Sequence, residues 1–148
     1  MSLKEYRRRR DFTRSPEPKG GKGMVNGRVY VIQEHHASHL HWDLRLEMEG
    51  VLKSWAIPKW PPVDEGVRRL AVAVEDHPLE YASFEGTIAE GQYGAGEVRI
   101  WDKGTYEPVE VHEDKIIINV NGERLKGEYC LVKTQFQKNS WLFFKKKT

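Results

Sequence analysis

The segment His39-Leu40-His41-Trp42-Asp43-Leu44-Arg45-Leu46-Glu47 alternates polar and apolar residues without a break. Alternation with a period of two is the pattern of a β-strand, whose successive side chains point to opposite faces. One face then carries Leu40, Trp42, Leu44, Leu46 and Met48, and the other carries His39, His41, Asp43, Arg45 and Glu47. A polar face of this kind is ordinarily the solvent side of a sheet, but such sides are filled with generic Lys and Glu rather than with two imidazoles, carboxylates and a guanidinium. Neighbours on one face lie roughly 6.6 Å apart at Cα, close enough for His41 and Asp43 to share one cation. His35, on the preceding segment, is the candidate third ligand. Mixed imidazole and carboxylate ligation suits a divalent ion such as Mn²⁺, Fe²⁺ or Zn²⁺, and three protein ligands leave positions open for water and substrate. Arg45, one step further along, is placed to take a phosphate oxygen through its planar fork.

A second polar cluster, Glu75-Asp76-His77-Pro78-Leu79-Glu80-Tyr81, follows the apolar run Leu70 to Val74. Loops at strand ends are held by rigid scaffold and often carry chemistry. His77 can hydrogen-bond a phosphate or deliver a proton to a leaving oxygen, with Tyr81 positioning it; a lone His-Pro after a strand is equally a turn. The Gly91-Gln92-Tyr93-Gly94-Ala95-Gly96 stretch matches neither a P-loop nor a dinucleotide fingerprint and reads as a structural loop.

These groups need a scaffold of strands. From Arg28 onward β-rich runs alternate with turn signals, and no stretch of ten or more residues shows a 3.6-residue apolar period. Expected strands are Val29–Glu34, Leu40–Met48, Val51–Ile57, Arg69–Glu75, Glu97–Trp101, Lys115–Val120, Glu123–Lys133 and Ser140–Lys145, with turns at Glu49-Gly50, Asp102-Lys103-Gly104 and Asn121-Gly122. About eight short strands imply an all-β, mainly antiparallel fold, a small closed or partly closed barrel with little helix. The 148 residues are enough for one core, and 39% hydrophobic with 31% charged residues is far from the composition of a disordered chain.

Net charge is +2, yet residues 1–28 hold nine Lys or Arg against three acidic residues, leaving about −4 on the rest. Residues 1–27, with Tyr6-Arg7-Arg8-Arg9-Arg10-Asp11-Phe12 and a Pro/Gly-rich stretch from Ser15 to Gly27, read as an extended basic arm ahead of a barrel over 28–148. Such an arm is either a solvated tail or a phosphate-neutralising segment. Cys130 is the sole cysteine, no apolar run exceeds five residues, and the N-terminus has charges where a signal peptide needs its apolar stretch. A cytoplasmic monomer away from membranes is expected.

Arg10-Asp11-Phe12 with Glu17-Pro18, the VIQEHHASHLHWDLRLE block of Val31–Glu47, LKSWAIPK of Leu52–Lys59, RLAVAVEDHPLEYASFEG of Arg69–Gly86 and GQYGAGEVRIWDKG of Gly91–Gly104 resemble the 3′-phosphoesterase domain of the DNA ligase D family. The blocks follow in order and span about residues 10–146. The resemblance implies a barrel-like β fold with a Mn²⁺-dependent site, where Zn²⁺ or Co²⁺ are alternatives. It implies removal of a 3′-terminal ribonucleoside and then of the resulting 3′-phosphate, on the 3′ ends of DNA or DNA/RNA primer-templates in end-joining repair. His35, His41 and Asp43 would be the metal ligands. Arg45 and His77 would bind the scissile phosphate, supported by Arg10, Glu17, Arg69 and Tyr81, with Asp11 and Lys59 nearby.

His36 stands where the family commonly has Asp and His39 where it commonly has Arg, so two extra imidazoles are expected near the metal. No Lys-x-Asp-Gly nucleotidyl-transfer motif occurs, so a ligase or polymerase partner would be a separate chain. Two other classes fit parts of the pattern. One is a non-catalytic nucleic-acid-binding barrel whose Trp and Tyr stack bases. The other is a cupin-like metal oxidoreductase suggested by His39-x-His41, which lacks a second histidine motif.

Overall fold

A computed structural model describes residues 3–12, 15–18, 28–135 and 137–147. The Pro/Gly stretch expected to be extended therefore lies largely outside the described residues. Nine strands form one antiparallel sheet: β1 (Val29–His36), β2 (Leu40–Met48), β3 (Val51–Ile57), β4 (Arg68–His77), β5 (Gly86–Ile88), β6 (Gly96–Val111), β7 (Lys115–Gly122), β8 (Lys126–Lys133) and β9 (Ser140–Lys145). Their order is β1-β2-β3-β4-β9-β8-β7-β6-β5, and β1 also pairs with β6. That pairing closes eight strands into a barrel and leaves β5 as an appendage. Regular helix is confined, among the described residues, to α1 (Lys4–Arg8) and a 3₁₀ turn at Leu79–Ser83.

The alternation of β2 places the barrel wall as the sequence implies. Trp42, Leu44 and Leu46 are buried in the interior with Tyr30, Ile32, Trp55, Ile118, Tyr129, Leu131 and Phe143. Leu40, expected on this face, is 44% exposed because it begins the strand at the barrel's open end. There Trp60 meets Trp42 and Trp101 edge-on, at 5.7 and 5.1 Å between ring centroids, and Arg124 lies 4.5 Å from the Trp101 ring centre.

A second apolar cluster sits outside the barrel. Tyr6, Leu52, Tyr81, Phe84, Ile88 and Val98 are buried together, with Phe12 and Leu79 against them. This cluster corrects the expected extended arm: Lys4–Arg8 is helical, and Tyr6 on it is fully buried. The reason is Tyr6 itself, whose ring packs against Phe12, His77 and Tyr81 and whose hydroxyl donates to the Pro18 carbonyl. An arginine run with one large aromatic in it has a face to bury.

Two turn expectations also change. Asp102-Lys103-Gly104 lies within β6, and the Asp102 side chain serves a distant loop instead of a local turn. Its carboxylate accepts the backbone N–H groups of Glu123, Arg124 and Leu125 at 2.8–2.9 Å and the Tyr30 hydroxyl at 2.7 Å. Asn121-Gly122 ends β7, so the reversal falls on Glu123-Arg124, where Gly122 N donates to Leu125 O at 3.0 Å. Three-residue β5 carried no alternation to find.

Candidate active site

On the outer wall of the barrel, the register of β1 to β4 builds a patch row by row. His35 pairs with His41, and Gln33 with Asp43; Asp43 faces Ala56 and Arg45 faces Ser54; Ser54 faces Val74. A β-bulge in β4, between the pairs Leu52–His77 and Ser54–Val74, inserts an extra residue. Bulges re-aim side chains, and this one brings Val74, Glu75 and His77 to one pocket while Asp76 meets Lys53 at 3.5 Å. The patch is not the solvent side of the sheet. Asp43, Arg45, Glu47 and His77 are all buried, and the 3₁₀ turn and the N-terminal residues pack over this wall, with Tyr81 and Tyr6 against the His77 ring and Arg10 at its Nε2. What remains is a cavity of about 280 Å³ whose walls include His35, His41, Asp43, Arg45, Arg10, Glu17, His77, Tyr81 and Tyr93.

His35, His41 and Asp43 converge on its floor, their candidate ligand atoms all within 4.8 Å of one another. Asp43 Oδ2 lies 3.6 Å from His35 Nδ1 and 3.2 Å from His41 Nε2. Each imidazole is oriented by a backbone carbonyl: His35 Nε2 donates to Gly94 O at 2.6 Å, and His41 Nδ1 donates to His39 O at 3.1 Å. These bonds leave His35 Nδ1 and His41 Nε2 as the ligating nitrogens, the arrangement in which the second ring nitrogen of a metal-binding histidine is hydrogen-bonded. The set therefore fits a divalent ion.

The charge balance agrees. Burial opposes ionisation of Asp43, but Arg45 and the two histidines outweigh it and hold the carboxyl well below the usual carboxylate range. His41 is shifted upward: burial opposes its charge, and the hydrogen bond and charge of Asp43 outweigh burial. A centre that stabilises a carboxylate and positive charge beside it admits a cation in exchange for protons.

The cationic wall is tightly held. Arg45 donates to Gln33 Oε1 at 2.6 Å and to Ser54 Oγ at 2.9 Å, and lies 3.5 Å from Asp43 Oδ2. Arg10 donates to Glu17 at 2.8 Å, to the Tyr6 carbonyl at 3.0 Å and to Glu75 at 3.4 Å, and its Nη2 is 3.3 Å from His77 Nε2. Glu17 also accepts the Tyr81 hydroxyl at 2.8 Å. His77 Nδ1 donates to Glu75 O at 3.0 Å, so Nε2 presents its lone pair to Arg10. Burial, then the charges of Arg45 and Arg10, push the His77 pKa well down, and its ring is neutral.

Of the residues singled out in the sequence, His35, His41, Asp43, Arg45, His77, Tyr81, Arg10 and Glu17 thus meet at one cavity. Arg69 does not line it: its Nε donates to Trp60 O at 2.7 Å, at the barrel's open end. Lys59 and Asp11 are exposed and stand outside its walls. The His36 ring pairs with Glu34 at 2.6 Å, and His39 supplies its carbonyl to His41, so neither extra imidazole joins the ligand group.

Gln33, Ser54, Glu75 and Tyr93 were missed. Gln33 was within reach, since it lies two residues from His35 on the same face, in an otherwise apolar run. It is fully buried, and its amide donates to Tyr81 O at 2.7 Å and Phe84 O at 3.1 Å. It thereby locks Arg45 to the 3₁₀ turn. The Gly-rich loop is structural but not distant from the chemistry. Its turns, Gln92 N to Ala89 O and Ala95 N to Gln92 O, are each 3.1 Å, with Gly91 and Gly94 at the positions where a type II turn needs positive φ. Gly94 brings its carbonyl to His35.

The DNA Ligase D 3′-phosphoesterase domain family matches residues 33–133. The multifunctional non-homologous end joining protein LigD of Mycobacterium bovis is 50% identical over 138 residues, 89% of this chain and 18% of its own length. The Pseudomonas aeruginosa protein of the same name is 44% identical, over 98% of this chain and again 18% of its own length. The chain thus spans under a fifth of these relatives. On the strength of the family match and these identities, the chain belongs to the DNA ligase D 3′-phosphoesterase domain family.

Proposed function

We propose that the protein is a metal-dependent 3′-end-processing phosphoesterase that removes a 3′-terminal ribonucleoside to leave a 3′-phosphate, and then removes that phosphate to leave a 3′-hydroxyl. The observation that carries this reading is the meeting of a His35-His41-Asp43 ligand set with Arg45, Arg10 and His77 in one cavity of about 280 Å³. A divalent ion held by these three residues, most suitably Mn²⁺, supplies Lewis-acid stabilisation and a better water nucleophile.

The chain's own groups do the rest. Arg45, fixed by Gln33 and Ser54, presents preorganised N–H donors to nonbridging phosphate oxygens, where charge grows as water adds to phosphorus, and Arg10, whose fork is taken up by Glu17, the Tyr6 carbonyl, Glu75 and His77, holds His77 in place. His77 is neutral in the free protein. A phosphate anion beside it favours the protonated ring, making Nε2 a donor to the oxygen that leaves. In the first step the water oxygen bonds to phosphorus and its proton passes to solvent, while the bond from phosphorus to the terminal nucleoside's 5′ oxygen breaks and that oxygen takes a proton from His77 Nε2, which gives up its contact with Arg10 to donate. In the second, a further water bonds to phosphorus and loses its proton in the same way, the bond to the 3′ oxygen breaks, that oxygen takes a proton from His77, and inorganic phosphate departs. Tyr81 and Glu17 position these groups.

The relatives' names, which speak of non-homologous end joining, support a reading in DNA end joining; in it the substrates are 3′ ends of DNA or DNA/RNA primer-templates, and a ligase and polymerase act on the cleaned ends. A labelled primer-template bearing one 3′-terminal ribonucleotide, incubated with Mn²⁺ and resolved by gel, is expected to shorten to a 3′-phosphate and then a 3′-hydroxyl strand. An unchanged strand across several divalent metals would sink the enzymatic reading and favour a binding barrel.

A further inference from the structure

Tyr93 stands on the rim of the cavity at the apex of the second turn of the 89–95 loop, and it is 46% exposed. Among the described residues it is the one Tyr, Phe or Trp exposed on the cavity wall; Tyr81 is 2% exposed. The glycines on either side fix the turns that hold it there, and Arg9 steadies it, donating from Nη1 to the Tyr93 hydroxyl at 2.6 Å with its guanidinium 4.9 Å from the ring centre. Arg9 in turn reaches Glu75 at 3.3 Å. Beside α1 lies a groove of about 770 Å³ that shares Val74 and Glu75 with the cavity and is lined by Lys4, Arg8 and Arg9 together with the carboxylates Glu5 and Asp76.

A strand whose 3′ phosphate sits against Arg45 and His77 must leave the cavity across this rim. A solvated aromatic ring held rigid at the exit costs little ordering on binding and offers a flat face that any base can stack on. The Arg9 guanidinium that holds the ring is itself fixed by Glu5 at 2.9 Å and Glu75 at 3.3 Å. Resting on the end-processing reading of the cavity, we propose that Tyr93 is the stacking platform for the base of the last retained nucleotide, with Arg9 orienting the ring. Tyr93 is a positioning residue: it holds the strand and takes no part in bond breaking.

The test uses a 5′-labelled oligonucleotide ending in a 3′-hydroxyl, a strand with nothing left to hydrolyse, and a twin whose last nucleotide is abasic. Binding is read by fluorescence anisotropy in Mn²⁺. The wild type is expected to bind the intact strand about tenfold more tightly than the abasic one, the size of one base–aromatic stack. Tyr93→Ala is expected to erase that difference by weakening the intact strand alone, while Tyr93→Phe and Tyr93→Trp retain it. Unchanged affinity of Tyr93→Ala for the intact strand, or an equal loss on both strands, overturns the assignment; the latter marks a purely structural role. Turnover of a 3′-ribonucleotide strand by the same proteins reports separately on the enzymatic reading. A wild type that discriminates in binding but converts no 3′ end defeats that reading and leaves the stacking site standing.

Discussion

Arg10 Nη2 lies 3.3 Å from His77 Nε2, so a guanidinium from the first ten residues is the donor to a histidine that closes a barrel strand. Both side chains are almost fully buried. The active site is therefore assembled from two parts of the chain, and the shorter part supplies a charge that the barrel alone does not.

Arg10 uses its whole fork, with Nε on Glu17, Nη1 on Tyr6 O and Glu75, and Nη2 on His77. A lysine ammonium cannot match that geometry. Arg10→Lys is expected to lower kcat on a 3′-phosphate strand by about 10²-fold, the loss seen when one preorganised donor is removed. Arg10→Ala also takes the guanidinium from buried Glu17, which keeps only the Tyr81 and Ser15 hydroxyls, while Glu75 keeps Arg9; the uncompensated carboxylate costs about 3 kcal/mol. Single-turnover kinetics and urea unfolding of both variants check this.

Gly94 has φ +76°, and a Cβ there would lie 3.3 Å from His35 Cε1. Gly94→Ala strains the turn and pushes at once on His35, a proposed metal ligand, and on the carbonyl that orients it. Mn²⁺ affinity, followed by the electron paramagnetic resonance of free ion, is expected to fall about 10- to 100-fold, with far-UV circular dichroism unchanged. Full affinity would mean that His35 is not a ligand.

Gln33→Leu removes the acceptor of Arg45 Nε and the donor to two carbonyls of the 79–84 segment. Arg45 Nε and Phe84 O lose this partner, while Tyr81 O keeps the Phe84 N–H at 3.0 Å; at about 1–3 kcal/mol for each of the two groups the variant should melt well below wild type. Its kcat is expected to drop with Mn²⁺ affinity intact, since no metal ligand is touched. Isothermal titration with Mn²⁺ beside a rate assay separates the two.

Asp76 is buried, its Oδ1 has no hydrogen-bond partner among the described residues, and burial raises its pKa against the pull of Lys53. A raised carboxyl pKa means the folded state binds more protons than the unfolded one, so stability falls as pH rises through the interval from the ordinary carboxylate value of 3.8 to the raised one, and stays lower above it. Asp76→Asn removes that loss. Its Tm should exceed wild type by about 2–4 °C at pH 7, corresponding to about 1 kcal/mol, and the gain should vanish below the interval. A scan of Tm against pH decides it.

Strand alternation carried much of this architecture into view. β2, β3 and β9 begin and end where the residue pattern puts them, and the same alternation sorted His41, Asp43 and Arg45 onto one face. What alternation cannot reveal is which strand lies beside which. Ser54 and Glu75 enter the site only through the β2–β3 register and the β4 bulge. Asp102 looked like a turn residue because its partners, the amides of residues 123–125, are some twenty positions away. Tyr6 was submerged in a run of arginines whose charge fitted a solvated tail as well as a phosphate-binding arm, and Arg10 was singled out only by the family resemblance, although one aromatic ring was enough to anchor the run.

The mounting of residues 4–12 and 15–18 on the barrel has a thermal consequence. Those residues are tied down by side chains, Tyr6 in its aromatic nest and Arg10 between two carboxylates, and not by the ladder of backbone bonds that closes the sheet. Segments held this way open locally at lower free energy than a closed barrel unfolds. Catalysis should therefore fade at a temperature where the sheet is still intact, and cooling should restore it as the segment docks again. Such an enzyme has two melting points, one for its activity and one for its fold.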